Sequence, residues 1–85
     1  MNGSCRAMSL EEGVLRVLYE APASAYECAA GLLQYAYATE AVTEEIEELF
    51  IELALRGRIE RVGNGTRFAI TVTGSQRLAD LVEAA

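Results

Sequence analysis

Carboxylates dominate the chemistry this sequence offers. Glu44, Glu45, Glu47, Glu48 and Glu52 fall in one short stretch that contains no arginine. Such groups can hold a cation, move a proton, or accept hydrogen bonds from arginine, lysine or a cytosine amino group. The opposite charge collects just after them. Arg56, Arg58, Arg61 and Arg67 are four of the seven basic residues, all of them arginine. Glu44, Glu47 and Glu48 could draw a divalent cation loosely, but one helix face cannot supply the converging oxygens of a calcium cage. With no histidine and only Cys5 and Cys28, zinc and iron–sulfur sites are not expected. Nor do two cysteines build a disulfide framework. Cys28 reads as a small core residue and Cys5 as part of a loose N-terminus, in a reducing compartment. Gly63-Asn64-Gly65 lacks the Lys-Ser/Thr that would follow in a phosphate-binding loop. No nucleophile has an evident base. Tyr19, Tyr26, Tyr35 and Tyr37 suit core and helix packing better than a pocket. The expectation is a binding protein, not an enzyme, with no metal and no cofactor.

The whole-chain numbers agree. At 85 residues and 52% hydrophobic, the chain makes one domain with a modest core. Its net charge of −6 opposes phosphate backbones, the main source of ordinary DNA affinity. No apolar run approaches the ~18–20 residues of a membrane span, and the start does not read as a signal peptide. A cytoplasmic, membrane-free protein is expected.

Residues 1–8 have no apolar period and read as a flexible lead-in; residues 9–85 form the domain. Ser9 and Glu12 make a capping box before a helix over 10–20, with Leu10, Val14, Val17 and Leu18 at helical spacing. Pro22 ends it. Ser24 and Glu27 repeat the box. Tyr26, Ala29, Ala30, Leu33 and Tyr37 mark the second helix, small on one side. Residues 39–42 read as a loop. Thr43 caps a third helix that buries Ile46, Leu49, Phe50 and Leu53 and stops at Gly57. Alternation then sets in at Ile59 and Arg61 and resumes at Phe68, Ile70 and Val72. Asn64-Gly65 between them predicts a type I′ hairpin, with Ile59 facing Ile70, Arg61 facing Phe68 and Val62 facing Arg67. A last helix, capped by Thr71 or Thr73, carries Leu78, Leu81 and Val82. The fold class is mainly α with a β-hairpin wing, an α+β arrangement in the order α1-α2-α3-hairpin-α4.

That order is similar to the winged helix, a form of helix-turn-helix. Pro22-Ala23-Ser24-Ala25-Tyr26-Glu27 resembles the segment opening the second helix of PadR-type regulators. Leu53-Ala54-Leu55-Arg56-Gly57-Arg58-Ile59 resembles their step from the third helix into the wing. Ile70-Thr71-Val72-Thr73-Gly74 resembles the close of the wing in PadR- and MarR-type proteins. The resemblance covers about residues 10–84 and is mostly architectural. It implies a transcriptional regulator, dimeric through its terminal helices, that puts the third helix in the major groove and the wing on the backbone.

The third helix departs from that task. With Ile46, Leu49, Phe50 and Leu53 inward, Glu44, Glu48, Ile51 and Leu55 face outward, flanked by Glu45, Glu47 and Glu52. Carboxylates would meet phosphates, and Ile51 and Leu55 stand where a DNA reader is polar. Two readings stay open. The glutamates are a solvated face, with Ile51 and Leu55 covered by residues 39–42 or the N-terminus. Alternatively, Glu44, Glu47, Glu48, Ile51, Glu52 and Leu55 form a protein-binding face. In its sharpest form that face imitates nucleic acid and inhibits a basic nucleic-acid-binding protein. The competing function is the PadR/MarR-like regulator, whose weak, salt-sensitive DNA contacts would come from Arg56, Arg58, Arg61, Asn64 and Arg67 on the wing. These arginines have structural roles open too: Arg61 lying over Phe68, and Arg58 and Arg67 pairing with Glu60 or other carboxylates.

Overall fold

The computed structural model describes residues 9–32 and 42–84. Its elements run α1 (Leu10–Glu20), α2 (Ala25–Leu32), α3 (Val42–Leu55), β1 (Ile59–Arg61), β2 (Phe68–Ile70) and α4 (Val72–Glu83). This is the expected mainly helical α+β order. Cys5, Leu33, Tyr35, Tyr37 and residues 39–41 lie outside the described residues.

Local chemistry starts and stops most elements. The Ser9 hydroxyl accepts the Glu12 N–H at 3.1 Å and caps α1. The helix ends where Ala21 turns extended ahead of Pro22. At α2 both halves of the box form: Ser24 Oγ accepts from the Glu27 N–H at 3.2 Å, and Glu27 Oε1 accepts from the Ser24 N–H at 2.9 Å. α3 closes with two nested bonds, Gly57 N–H to the Ala54 carbonyl and Arg58 N–H to the Leu53 carbonyl. That pairing requires a left-handed residue, and Gly57 supplies it at φ 74°. Thr71 rather than Thr73 caps α4, accepting the Gly74 N–H at 3.1 Å.

One core joins the elements. Val14, Leu15 and Leu18 of α1 meet Cys28 and Leu32 of α2, Ile46, Phe50 and Leu53 of α3, and Ile59 of β1. Leu49, Phe68, Ile70, Leu78 and Leu81 pack at its edge. Two glycines mark close approaches. A Cβ on Gly31 would lie 3.2 Å from Val17, so α1 sits tightly on α2 there. A Cβ on Gly74 would run into the Arg58 carbonyl oxygen and lie 2.8 Å from Ile70 Cγ1. The first turn of α4 therefore lies directly against the strands.

The hairpin pairs Ile59 with Ile70, Glu60 with Ala69 and Arg61 with Phe68, the expected register. Its turn is different. The Val62 N–H donates to the Arg67 carbonyl, and positive φ falls on Gly63, not on Gly65. The connection is therefore not the type I′ turn on Asn64-Gly65. A neighbouring glycine absorbs the reversal, and side-chain alternation alone preserves the pairing. Ala23 exchanges two backbone hydrogen bonds with Phe68, at 3.0 and 2.9 Å, and so covers the outer edge of β2.

Three further expectations change. Val42 is not in a loop but opens α3, so Thr43 lies inside the helix it was expected to cap. Val72 does not extend the strand alternation; it begins α4 and is 77% exposed. On α2 the buried residues are Ala25, Cys28 and Leu32, while Tyr26 and Ala30 are exposed. The inward stripe is rotated by one position because the short residues, not Tyr26, fit under α1. Tyr19 is exposed as well, so neither described tyrosine is a core residue.

Candidate functional site

α3 buries Ile46, Phe50 and Leu53 and leaves Glu44, Glu45, Glu47, Glu48, Ile51, Glu52 and Leu55 in solvent. Ile51 is 65% exposed and Leu55 83% exposed. Neither is covered by the described residues; the cover expected from residues 39–42 or the N-terminus falls on side chains outside the described residues.

The outward face is not uniform. Successive helical residues turn by about 100°, so Glu47, Ile51, Ala54 and Leu55 fall toward one flank and Glu45, Glu48 and Glu52 toward the other. The first flank walls an open groove of about 940 Å³. Opposite it stand Ile59, Glu60, Arg61 and Thr66 of the hairpin, and Ser24, Ala25 and Tyr26 stand at the start of α2. Phe50 and Phe68 also line it, with ring centroids 4.9 Å apart at 59°, a favourable tilted pair joining α3 to β2. The groove thus combines an aromatic–aliphatic lining with Glu47 and Glu60 as its carboxylates. Glu44, Glu48 and Glu52 form a separate acidic ridge along the helix.

The arginines mostly face other parts of the fold. Arg58 is half-buried and donates to Glu11 Oε2 at 2.8 Å; Arg77 of α4 reaches the same carboxylate through two bonds, at 3.1 and 3.2 Å. Glu11 therefore ties α1 to α4 and to the segment entering β1. Arg67 makes a two-bond fork with Glu27, both bonds 3.1 Å. This fork, followed by the Ser24 N–H, holds the Glu27 carboxyl below its usual range, and Glu27 raises Arg67 in turn. Arg56 pairs with Glu52 at 3.6 Å on the surface. The carboxylates chosen by Arg58 and Arg67 are Glu11 and Glu27 rather than Glu60. Arg61 lies over Phe68, its guanidinium carbon 5.9 Å from the ring centroid, as expected for a stem covering that side chain. Asn64 is exposed at the hairpin tip.

Two acidic residues escaped the sequence reading. Glu11 lies in the first turn of α1, and its partners stand 47 and 66 positions away. Glu12 was a capping partner; it is 1% exposed and bound by Arg16 from the next turn, at 3.1 Å. The groove itself escaped too, because α2, α3 and the hairpin build it jointly. Cys28 is enclosed as expected, and burial first, then the neighbouring Glu27 charge, pushes its thiol up to about 12. Among the described residues no three Cys, Asp or Glu side chains gather as a metal site, and no helix is long and apolar enough to cross a membrane. Set against family models, curated proteins and solved structures, the chain matches none, so its function is read from the groove and its charges.

Proposed function

We propose that the protein is a non-enzymatic, winged-helix-like binding module that docks a protein partner on α3 and the groove beside it. One observation carries this reading: Ile51 and Leu55 are exposed together along a groove lined by Phe50 and Phe68 and rimmed by carboxylates. Apolar side chains surrounded by charge are the ordinary make-up of a protein interface. In its sharper form the partner is a basic nucleic-acid-binding protein, and Glu44, Glu48 and Glu52 take the place of phosphates in its channel. The test is charge reversal. Replacing Glu44, Glu48 and Glu52 by lysine should abolish partner capture while circular dichroism and melting stay native. Undiminished capture by the reversed variant would refute the acidic-face reading.

The second reading is a PadR/MarR-like regulator binding DNA as a homodimer. The helix-helix-helix-hairpin order and the Ala23–Phe68 bridge, which adds a third short segment to the hairpin, favour that likeness. A fold likeness is weak evidence for function. Its electrostatics are poor as well, since Arg56, Arg58 and Arg67 are each engaged by a carboxylate. Titration of random duplex DNA at about 50 mM salt separates the two, because electrostatic affinity is then large. Binding there would favour the regulator; its absence favours the protein-docking module.

A further inference from the structure

The walls of the groove select the backbone form of what it can hold. On one side is the face of α3, on the other the face of the hairpin, with the start of α2 alongside. Helix and sheet faces present side chains, because their backbone groups are spent along the helix and across the ladder. The strands add no open backbone here: Ile59 is 2% exposed, and Phe68 exchanges two hydrogen bonds with Ala23. An extended segment in the groove would bury its own N–H and C=O groups against side chains, each an unmade hydrogen bond. An α-helix satisfies those groups internally.

The side chains converge on such an occupant. Seven large apolar or aromatic side chains are exposed among the described residues, and three of them, Tyr26, Ile51 and Leu55, line this one groove. Phe50 and Ile59 are buried beneath them, and Phe68 is half-buried. Glu47 and Glu60 are in the lining, and Glu44 and Glu48 stand beside it on α3. Among the described residues none of these four carboxylates is paired with an arginine. The one arginine in the lining, Arg61, is drawn onto Phe68.

We propose that the groove takes a basic amphipathic α-helix of a partner protein, laid along α3. This names the partner's docking element and rests on the docking reading above. A helix in a groove is held by apolar anchors at i, i+3, i+4 and i+7. Groove residues on α3 run from Thr43 to Leu55, about 18 Å at 1.5 Å per residue, which about 12 residues of partner helix cover. Its apolar stripe meets Tyr26, Ile51 and Leu55. Lysines or arginines bordering the stripe meet Glu44, Glu47 and Glu48 on one wall and Glu60 on the other. A second copy of this chain is a poor occupant, because it brings a net charge of −6 to an acidic face.

The test uses the full chain, isotopically labelled, and a capped peptide of about 14 residues with leucines at helical spacing and lysines on both flanks. A second peptide carries proline at its centre, and a third replaces lysine by glutamate. The parent peptide should shift the amide signals of Tyr26, Ile51 and Leu55 saturably. It should also gain helical circular dichroism on binding, since so short a helix is marginal alone. The proline and glutamate peptides should each bind about tenfold or more weakly. Leu55→Glu adds negative charge but removes an anchor, so it should weaken the parent peptide; tighter binding would mean charge attraction without a seated helix. That result, equal binding by the proline peptide, saturation without a gain in helix, or no shift up to about 1 mM parent peptide overturns the proposal. So does a dimer in sedimentation that Leu55→Glu dissociates, which gives the groove to a second copy. Those failures are distinct from failure of the docking reading. Loss of the helix leaves the charge-reversal result standing, whereas unchanged partner capture by the reversed variant removes the docking face itself.

Discussion

Replacing Glu11 by glutamine should loosen three elements at once. The Glu11 side chain is only 19% exposed and accepts three charge-assisted bonds, one from Arg58 and two from Arg77. Glutamine keeps the shape, removes the charge and turns one acceptor into a donor facing guanidinium groups. Arg58, itself mostly covered, would keep its charge without a counter-charge. A half-buried charge stripped of its partner costs about 1–3 kcal/mol, while the more exposed Arg77 arm contributes less through solvent screening. A total near 2 kcal/mol follows, against about 4–13 kcal/mol for a domain of this size. Urea denaturation should show the midpoint falling by about 1–2 M with an unchanged slope. A double-mutant cycle of Glu11→Gln with Arg58→Gln should show coupling above about 0.5 kcal/mol. A loss below about 0.5 kcal/mol, or an additive cycle, would refute the idea that this carboxylate locks α4 and the entry to β1 onto α1.

Three other perturbations probe separate parts of the fold. Gly74→Ala should destabilise by about 3 kcal/mol despite the better helix propensity of alanine, because its methyl collides with the Arg58 carbonyl and Ile70; equilibrium unfolding measures it, and a neutral result would contradict the close approach of α4. Ile51→Ala should leave melting unchanged, since the side chain is exposed, yet weaken partner binding about 5–30-fold, the ~1–2 kcal/mol still available from burying it; equal binding by titration calorimetry would exclude Ile51 from the interface. The Cys28 thiol has a raised folded value near 12 against an ordinary value of 9.0, so its stabilising share is intact below pH 9 and declines as pH climbs toward 12. Its slope approaches about 1.4 kcal/mol per pH unit, and Cys28→Ala should remove that part of the alkaline loss in pH-resolved denaturation.

The sequence by itself determined the order of elements, the serine caps of α1 and α2, the inward stripe of α3 and the pairing of the hairpin. All rest on contacts between residues a few positions apart, or on strict two-residue alternation. Ile46, Phe50 and Leu53 point inward because 3.6 residues make a turn, and Ile59 faces Ile70 because a slip of one residue would turn Ile59, Phe68 and Ile70 out of the core. Local rules reached their limit where neighbours compete. Gly63 rather than Gly65 took the reversal, Val72 joined a helix, and Tyr26 turned outward while smaller residues filled the contact with α1.

Only the tertiary structure decided what the charges do. The clustered arginines of the sequence suggested a basic wing, but Arg58 is drawn to Glu11 and Arg67 to Glu27, partners 47 and 40 positions away. Residue types and spacing placed Glu44, Glu48, Ile51 and Leu55 on one helix face. Packing of α2 and the hairpin against α3 turned half of that face into a groove wall and left the rest as an acidic ridge. Such a division depends on which surface each neighbouring element covers, and that is settled by long-range packing rather than by any local pattern.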